Sequence, residues 1–520
     1  MDKKRSILNV GISILFKILL LIGAILSRRF LIKYVGNEAT GLFSLYTSIV
    51  GFLAVAELGV GSAITFCMYK PIVDDDETKV AALYHLFTKM YLIIGGIILV
   101  CGVIVMPFVP YLAKDYQQFD TSIWLTFFLM LVATVLSYMF SSKTSVINAY
   151  KNNYITTIIN SIGIILQYVA QIFVVRFTKS FELYLLCTIV SVLLQWFMTI
   201  IIFDKKYKKI RKIKATIDED TKKLVVKNIK AMFMHKIGGV LVNTADSIII
   251  SAFIGVIILG KYSNYTTIMS SMISVIVLFF NPLTSIIGHL CIKNNLEDVK
   301  KYYNFFYIFN FIIGVIFFLG YYAIIDNLVA ICFGPGLELN RSVSMVITIN
   351  YFIQFMRQAT LLFRDATGTF YYDRWKPLYE GLVNVALSIG FVYLFSWLLG
   401  ADFAVVGVIV ATIITNMTIC HIVEPHVLFK YEFHTKTKNF YIKNYSCIFI
   451  FIISLVILNF CMISFENEWL ELLVNGCIAV GIALVPCVAL SIFDKDFKYY
   501  LVLMLKKIKN FKIKRNKNEI

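Results

Sequence analysis

YVGNEATGLFSLYTSIVG (Tyr34–Gly51) and FIGVIILGKYSNYTTIMS (Phe253–Ser270) are two copies of one pattern. With Tyr34 set on Phe253, an offset of 219 residues, they align without a gap. Gly36 falls on Gly255, Gly41 on Gly260, Ser44 on Ser263, Tyr46 on Tyr265, Thr47 on Thr266 and Ile49 on Ile268. The same offset puts Asn9 on Asn228 and Lys17 on Lys236. Both copies lie in long apolar sequence. A duplicated multi-helix half in a membrane chain points to a transporter, because two related bundles can rock about a site between them.

The rest of the chain fits that frame. Its 520 residues are 59% hydrophobic, with a mean hydropathy of +0.79. Apolar runs of about 20 residues, the length that crosses a bilayer core as helix, recur along nearly all of it. A membrane barrel would show short alternating segments instead. Fourteen spans are expected, at 7–33, 41–68, 81–109, 121–142, 153–175, 181–203, 228–254, 262–290, 302–325, 342–363, 377–399, 403–424, 442–464 and 469–492. The first reads as a permanent helix, not a cleaved signal, because it lacks a small-residue exit and repeats in 228–254.

The expected fold is an all-α integral membrane protein of about fourteen transmembrane helices. A six-helix bundle over 1–203, a basic cytoplasmic linker over 204–227 and a second six-helix bundle over 228–430 come first. Two additional helices over 431–493 and a basic tail over 494–520 complete the chain. Six spans per half is an even number, so the repeats are parallel, with a pseudo-two-fold axis along the membrane normal.

The net charge of +18 is distributed as a membrane protein's charge is. Of the 49 Lys and Arg, 37 fall in alternate segments that include both termini, six in the opposite segments and six within spans. This positive-inside bias predicts both termini in the cytoplasm. It gives the basic tail to anionic headgroups and leaves no reason to invoke nucleic acid. The ten cysteines contain no C-x-x-C pair and read as packing residues. His289, His421 and His426 read as interfacial, without metal-ligand spacing. No phosphate-binding loop for a nucleotide is present. External loops are too short for a catalytic domain, so no enzyme and no cofactor are expected.

Ionisable residues within spans are costly and mark candidate sites. Lys17 and its repeat mate Lys236 lie about 15 Å along their helices from the cytoplasmic end, at 1.5 Å per residue. Glu57 reaches a similar level, and Arg357 lies about 10 Å from its cytoplasmic end. Lys17 and Arg28 are eleven residues apart and share a helix face. Asn243 and Ser247 share the face of Lys236, and Arg357 and Arg364 are seven apart. Such stripes point to a wet cavity or a polar neighbour. Lys17, Arg28, Lys236, Arg357 and Arg364 are therefore candidates for binding an anionic headgroup, since guanidinium offers paired donors to phosphate. Glu57 and Asp246 are candidates for ion coupling or for a counter-ion role. The bland alternatives are internal pairing, of Lys17 with Glu57 or of Asp246 with an Arg, and an interfacial anchor role for Arg364.

Two stretches carry a family resemblance: GLFSLYTSIVGFLAVAELGVGSAITFCMYKPIVDDD (Gly41–Asp76) and NYFIQFMRQATLLFRDATGTFYYDRWKPLYEGLVNVALSIG (Asn350–Gly390). Both resemble the bacterial polysaccharide transporters, the Wzx-type flippases of the MOP (multidrug/oligosaccharidyl-lipid/polysaccharide) superfamily. The resemblance implies two six-helix bundles around a cationic lumen. It also implies movement of undecaprenyl-pyrophosphate-linked oligosaccharide from the inner to the outer leaflet of the bacterial plasma membrane, for capsule, O-antigen or exopolysaccharide assembly. Glu57 and Arg357 occupy motif positions. Partners would be the lipid bilayer and, by the same resemblance, a polysaccharide polymerase and assembly proteins. Coupling to an H+ or Na+ gradient is left open. The competing classes are a cation-coupled multidrug exporter of the same superfamily, a membrane polymerase or ligase of lipid-linked glycans, and a non-transporting scaffold. The first should have an acidic cavity and the second a sizeable external loop. The duplicated halves with matched lysines speak against the third.

Overall fold

A computed structural model describes residues 3–57, 60–116, 122–280, 283, 287–288, 290–291, 295–400, 403–494 and 496–502. The side chains of residues 3–14 and 230–236, among others, lie outside the description. Among the described residues there is helix and no strand. The helices of ten residues or more are α1 (Lys3–Tyr34), α2 (Asn37–Leu53), α3 (Val60–Val73), α4 (Glu77–Val105), α5 (Ile123–Ala149) and α6 (Asn153–Thr178). They continue with α7 (Phe181–Lys206), α8 (Glu219–Ile249), α9 (Val256–Phe280), α10 (Leu296–Phe333), α11 (Arg341–Met356) and α12 (Gln358–Thr367). The last are α13 (Lys376–Leu399), α14 (Ala404–Thr415), α15 (His421–Tyr431), α16 (Lys438–Cys461) and α17 (Glu468–Phe493).

Among the described residues, ten helical stretches have the length and hydropathy to cross a membrane. The other expected spans fall on α1, on α2 with α3, on α9 and on α11 with α12. The all-α membrane architecture predicted from the sequence is therefore present.

Helix starts are set by short polar side chains that accept from otherwise unpaired first-turn N–H groups. Asp76 accepts from Lys79 N, Ser180 from Leu183 N, Asp218 from Thr221 N and Asn467 from Trp469 N. Two further starts use glycine. Gly36 (φ 130°, ψ 164°) precedes α2, and Gly255 (φ 140°, ψ 158°) precedes α9. Only glycine adopts this conformation without strain. The two copies of the repeat thus turn into their helices with the same backbone geometry.

Gly41 and Gly260 do not turn, although the repeat suggests paired corners at all four glycines. They lie inside α2 and α9, where these helices touch backbone to backbone. A Cβ on Gly41 would strike the Val256 carbonyl oxygen, and one on Gly260 would come within 2.6 Å of the Asn37 carbonyl oxygen. Asn37 Nδ2 donates to Ile257 O at 2.8 Å across the same crossing. The motif is repeated because both helices must be bare at one contact.

The chain divides into two compact units. The first comprises Met1–Ser271, Cys332–Leu337 and Pro377–Val408; the second comprises Met272–Ile331, Glu338–Lys376 and Ile409–Ile520. A core of Ile64, Tyr84, Phe87, Ile98, Leu131 and Phe203 runs through the first. In the second, α10 contributes the buried Tyr303, Tyr307, Phe311 and Phe318, and Phe352 stacks on Phe451 with ring centroids 3.6 Å apart.

Candidate functional site

Arg28 sits on α1 in the first unit, one residue after a buried serine. Ser27 donates to Gln171 Oε1 at 2.9 Å and lies 3.1 Å from the Tyr184 hydroxyl, tying α1 to α6 and α7. The next residue along the helix is turned by about 100° and faces α9 instead. Arg28 Nε donates to Asn264 Oδ1 at 2.5 Å, Nη1 to Thr267 Oγ1 at 3.5 Å and Nη2 to Gly260 O at 3.4 Å. Nη2 also donates to Ser263 Oγ. The guanidinium carbon lies 5.8 Å from the Phe333 ring centroid.

Every one of these partners is neutral. No carboxylate lies at ion-pair distance from Arg28 among the described residues. Asn264 is fully buried; its oxygen is taken by Arg28, and its Nδ2 has no hydrogen-bond partner among the described residues. A half-buried cation thus sits beside a buried amide donor, with no carboxylate to balance it among the described residues. Such a set is complementary to an anionic group carrying several acceptor oxygens.

A second cationic group, in the second unit, is built differently. Arg357 lies at the break between α11 and α12. Its Nε and Nη2 donate to the two oxygens of Glu424, at 3.1 and 2.6 Å, and Nη1 donates to Asn416 Oδ1 at 2.6 Å. Lys376 Nζ meets the same carboxylate at 2.6 Å. Arg364 pairs with Asp373 at 2.7 Å and with Asp365 at 3.0 Å. Each of the three cations thus meets a carboxylate among the described residues, and Glu424 is only 1% exposed. The helix break at Arg357 also ends the phase argument that would align Arg357 with Arg364 on one continuous face. Two of the three guanidiniums offered as headgroup ligands, Arg357 and Arg364, already face carboxylates. A phosphate would have to displace a bidentate carboxylate to reach Arg357.

The remaining candidates are placed as follows. Lys17 is half-buried on α1, and Asp246 is half-buried on α8. The side chains of Lys236 and Asn243 lie outside the described residues, as does His289. Glu57 ends a short 3-10 turn (Ala54–Glu57) and accepts from the Tyr91 hydroxyl at 3.0 Å. His421 is buried, with Nε2 3.0 Å from Ile353 O and Nδ1 3.2 Å from Asn444 Oδ1. It is a packed core histidine, not an interfacial one.

Sequence reasoning missed Glu424, Lys376 and Asn264. Glu424 carried a signal, as a carboxylate at the very end of an apolar span. Asn264 also carried one, as an uncharged polar residue in the second copy of the repeat.

No protein-family model matches the chain, and no curated protein matches it in sequence. Solved structures do match it in fold. One is the lipid II flippase MurJ in an inward closed conformation: 13% identity, a TM-score of 0.58, covering 94% of this chain and 99% of that one. A second is an inward-facing multidrug resistance MATE family transporter of the MOP superfamily: 13% identity, TM-score 0.55, 78% and 96% covered. A third is a mutant of the Vibrio cholerae MATE transporter VcmN: 11% identity, TM-score 0.52, 82% and 99% covered. At these identities the shared property is the fold.

Proposed function

We propose that the protein is a membrane flippase that carries undecaprenyl-pyrophosphate-linked oligosaccharide from the inner to the outer leaflet of a bacterial plasma membrane. Arg28 is the observation that carries this reading. It is a half-buried guanidinium on neutral oxygens, beside the buried amide nitrogen of Asn264, which has no partner among the described residues. A pyrophosphate supplies the missing negative charge and enough acceptor oxygens for both donors. Lys17 and Lys236, on the same face of the repeat in sequence, add charge to the same headgroup. Arg357 and Arg364 are held by carboxylates and serve the frame of the second unit.

The polyprenyl chain stays in lipid while the head moves. The two repeat halves exchange between inward-open and outward-open states, and the substrate shifts that equilibrium by binding the two unequally. Glu57 and Asp246 are the first carboxylates to examine for coupling to H+ or Na+. Support for a transporter comes from the fold shared with MurJ and the MATE proteins.

The MATE likeness also favours a second reading, export of cationic drugs. Reconstitution separates the two. Proteoliposomes are tested with a fluorescent polyprenyl-pyrophosphate oligosaccharide and with a cationic dye. Translocation of the first alone, lost in Arg28→Gln, supports the flippase. Efflux of the dye alone, retained in Arg28→Gln, selects the exporter and ends the flippase reading.

A further inference from the structure

The turn between α15 and α16 in the second unit gathers basic side chains. An open pocket of about 680 Å³ is lined there by Lys430, His434, Lys436, Thr437, Lys438 and Tyr441, among others. The turn is short because His434, at φ 50°, reverses the chain, and Thr435 N closes it on Phe429 O at 3.0 Å. Three lysines are thereby brought to one concave surface within nine residues of sequence. All three are exposed. Glu432 belongs to the same turn, yet neither it nor any other described carboxylate pairs with Lys430, Lys436 or Lys438.

The helix start among these lining residues adds to the positive potential. Thr437 is the N-cap of α16, a helix of 24 residues, and its side chain makes no capping bond to the first turn. First-turn N–H groups and the helix dipole favour an anion at this end. Thr437 is 8% exposed and Tyr441 donates to Ile422 O at 2.8 Å, so these two lining residues are held in place while the lysines are exposed. Ile442, next in the chain to the pocket-lining Tyr441, is 61% exposed. Basic side chains near exposed apolar ones match the profile of a lipid interface.

We propose that this pocket binds a phosphate-bearing group at the membrane surface, either an anionic phospholipid headgroup or a soluble phosphate ester. The proposal does not depend on the transport reading, because its residues are separate from Arg28 and from the Glu424 group.

The test uses the full-length protein purified in detergent, with lipid adducts counted by native mass spectrometry. The probes are phosphatidylglycerol, phosphatidylcholine and inorganic pyrophosphate. The variant is Lys430→Gln/Lys436→Gln/Lys438→Gln. A control removes equal charge elsewhere, Lys205→Gln/Lys208→Gln/Lys214→Gln. Circular dichroism melting confirms that both are folded.

The expected result is a preference for phosphatidylglycerol over phosphatidylcholine that falls at least tenfold in the variant and persists in the control. That outcome identifies a lipid headgroup. If pyrophosphate binding alone falls in the variant, the ligand is the soluble ester. Binding of both probes that is unchanged in the variant, or lost equally in the control, overturns the proposal.

Discussion

Arg28 and Arg357 are both guanidiniums largely withdrawn from water, and the difference between them lies in their partners. Arg357 shares the buried carboxylate of Glu424 with Lys376, so its charge is met within the protein. Arg28 faces only neutral oxygens, together with an amide donor left over. A balanced buried group maintains structure, because removing either partner leaves an uncompensated charge. An unbalanced one is tolerated where something else supplies the opposite charge for part of the time. Counting cations in a membrane sequence therefore does not show which of them already have a carboxylate partner; the folded structure does.

The sharpest way to break this contrast is Glu424→Gln. It strands two cations on a neutral amide and should destabilise the protein by about 3–5 kcal/mol, seen as a lower melting temperature in detergent and a lower membrane yield. A double variant, Arg357→Gln/Glu424→Gln, should recover part of that loss in a double-mutant cycle. If Glu424→Gln melts like the unmodified protein, the group is not a balanced unit.

Arg28→Gln should do the reverse. Its neutral partners lose hydrogen bonds only, a cost of about 1–3 kcal/mol, while translocation is lost. Arg28→Lys should keep the charge and part of the activity, since ammonium cannot reproduce the guanidinium fork.

The glycine pairs carry the comparison into the repeat. Gly41→Ala or Gly260→Ala inserts a methyl between two helix backbones and should cost about 1–3 kcal/mol by overpacking. Gly36→Ala and Gly255→Ala force a side chain into a glycine-only conformation, at about 1–3 kcal/mol each. Similar losses at both members of a pair would show that the two copies still do the same structural work.

The smallest effect belongs to Asp218, which caps α8 from an exposed position. Backbone and side-chain hydrogen bonds from Thr221 hold its carboxyl below the ordinary aspartate value. A lowered folded-state pKa means that its contribution is complete above the unfolded value and is lost as pH falls through the folded one. Asp218→Ala should therefore lower the neutral-pH melting temperature slightly and melt like the unmodified protein in acid, where the Asp218 carboxyl is protonated.

The architecture was legible in the sequence because hydropathy is additive along a helix: each span announces itself over about 20 residues. The repeat was legible at Gly36 and Gly255 because one backbone conformation demands one residue type. The role of Gly41 and Gly260 was not, since a close approach between helices leaves no local mark distinguishing it from a turn. Arg28 was legible as an intramembrane charge. The neutrality of its surroundings was not, because Asn264 lies 236 residues away in the chain. The carboxylate partner of Arg357 was not legible for the same reason: Glu424 is 67 residues further on, and only the fold brings the two together.

Binding of a polyprenyl pyrophosphate to the purified protein tests the central contrast most directly, measured for the unmodified chain, Arg28→Gln and Arg357→Gln on folded material only. Arg28→Gln should weaken binding at least tenfold, about 1.4 kcal/mol, while folded Arg357→Gln binds as the unmodified protein does. Unchanged binding in Arg28→Gln, with the loss in Arg357→Gln instead, would contradict it.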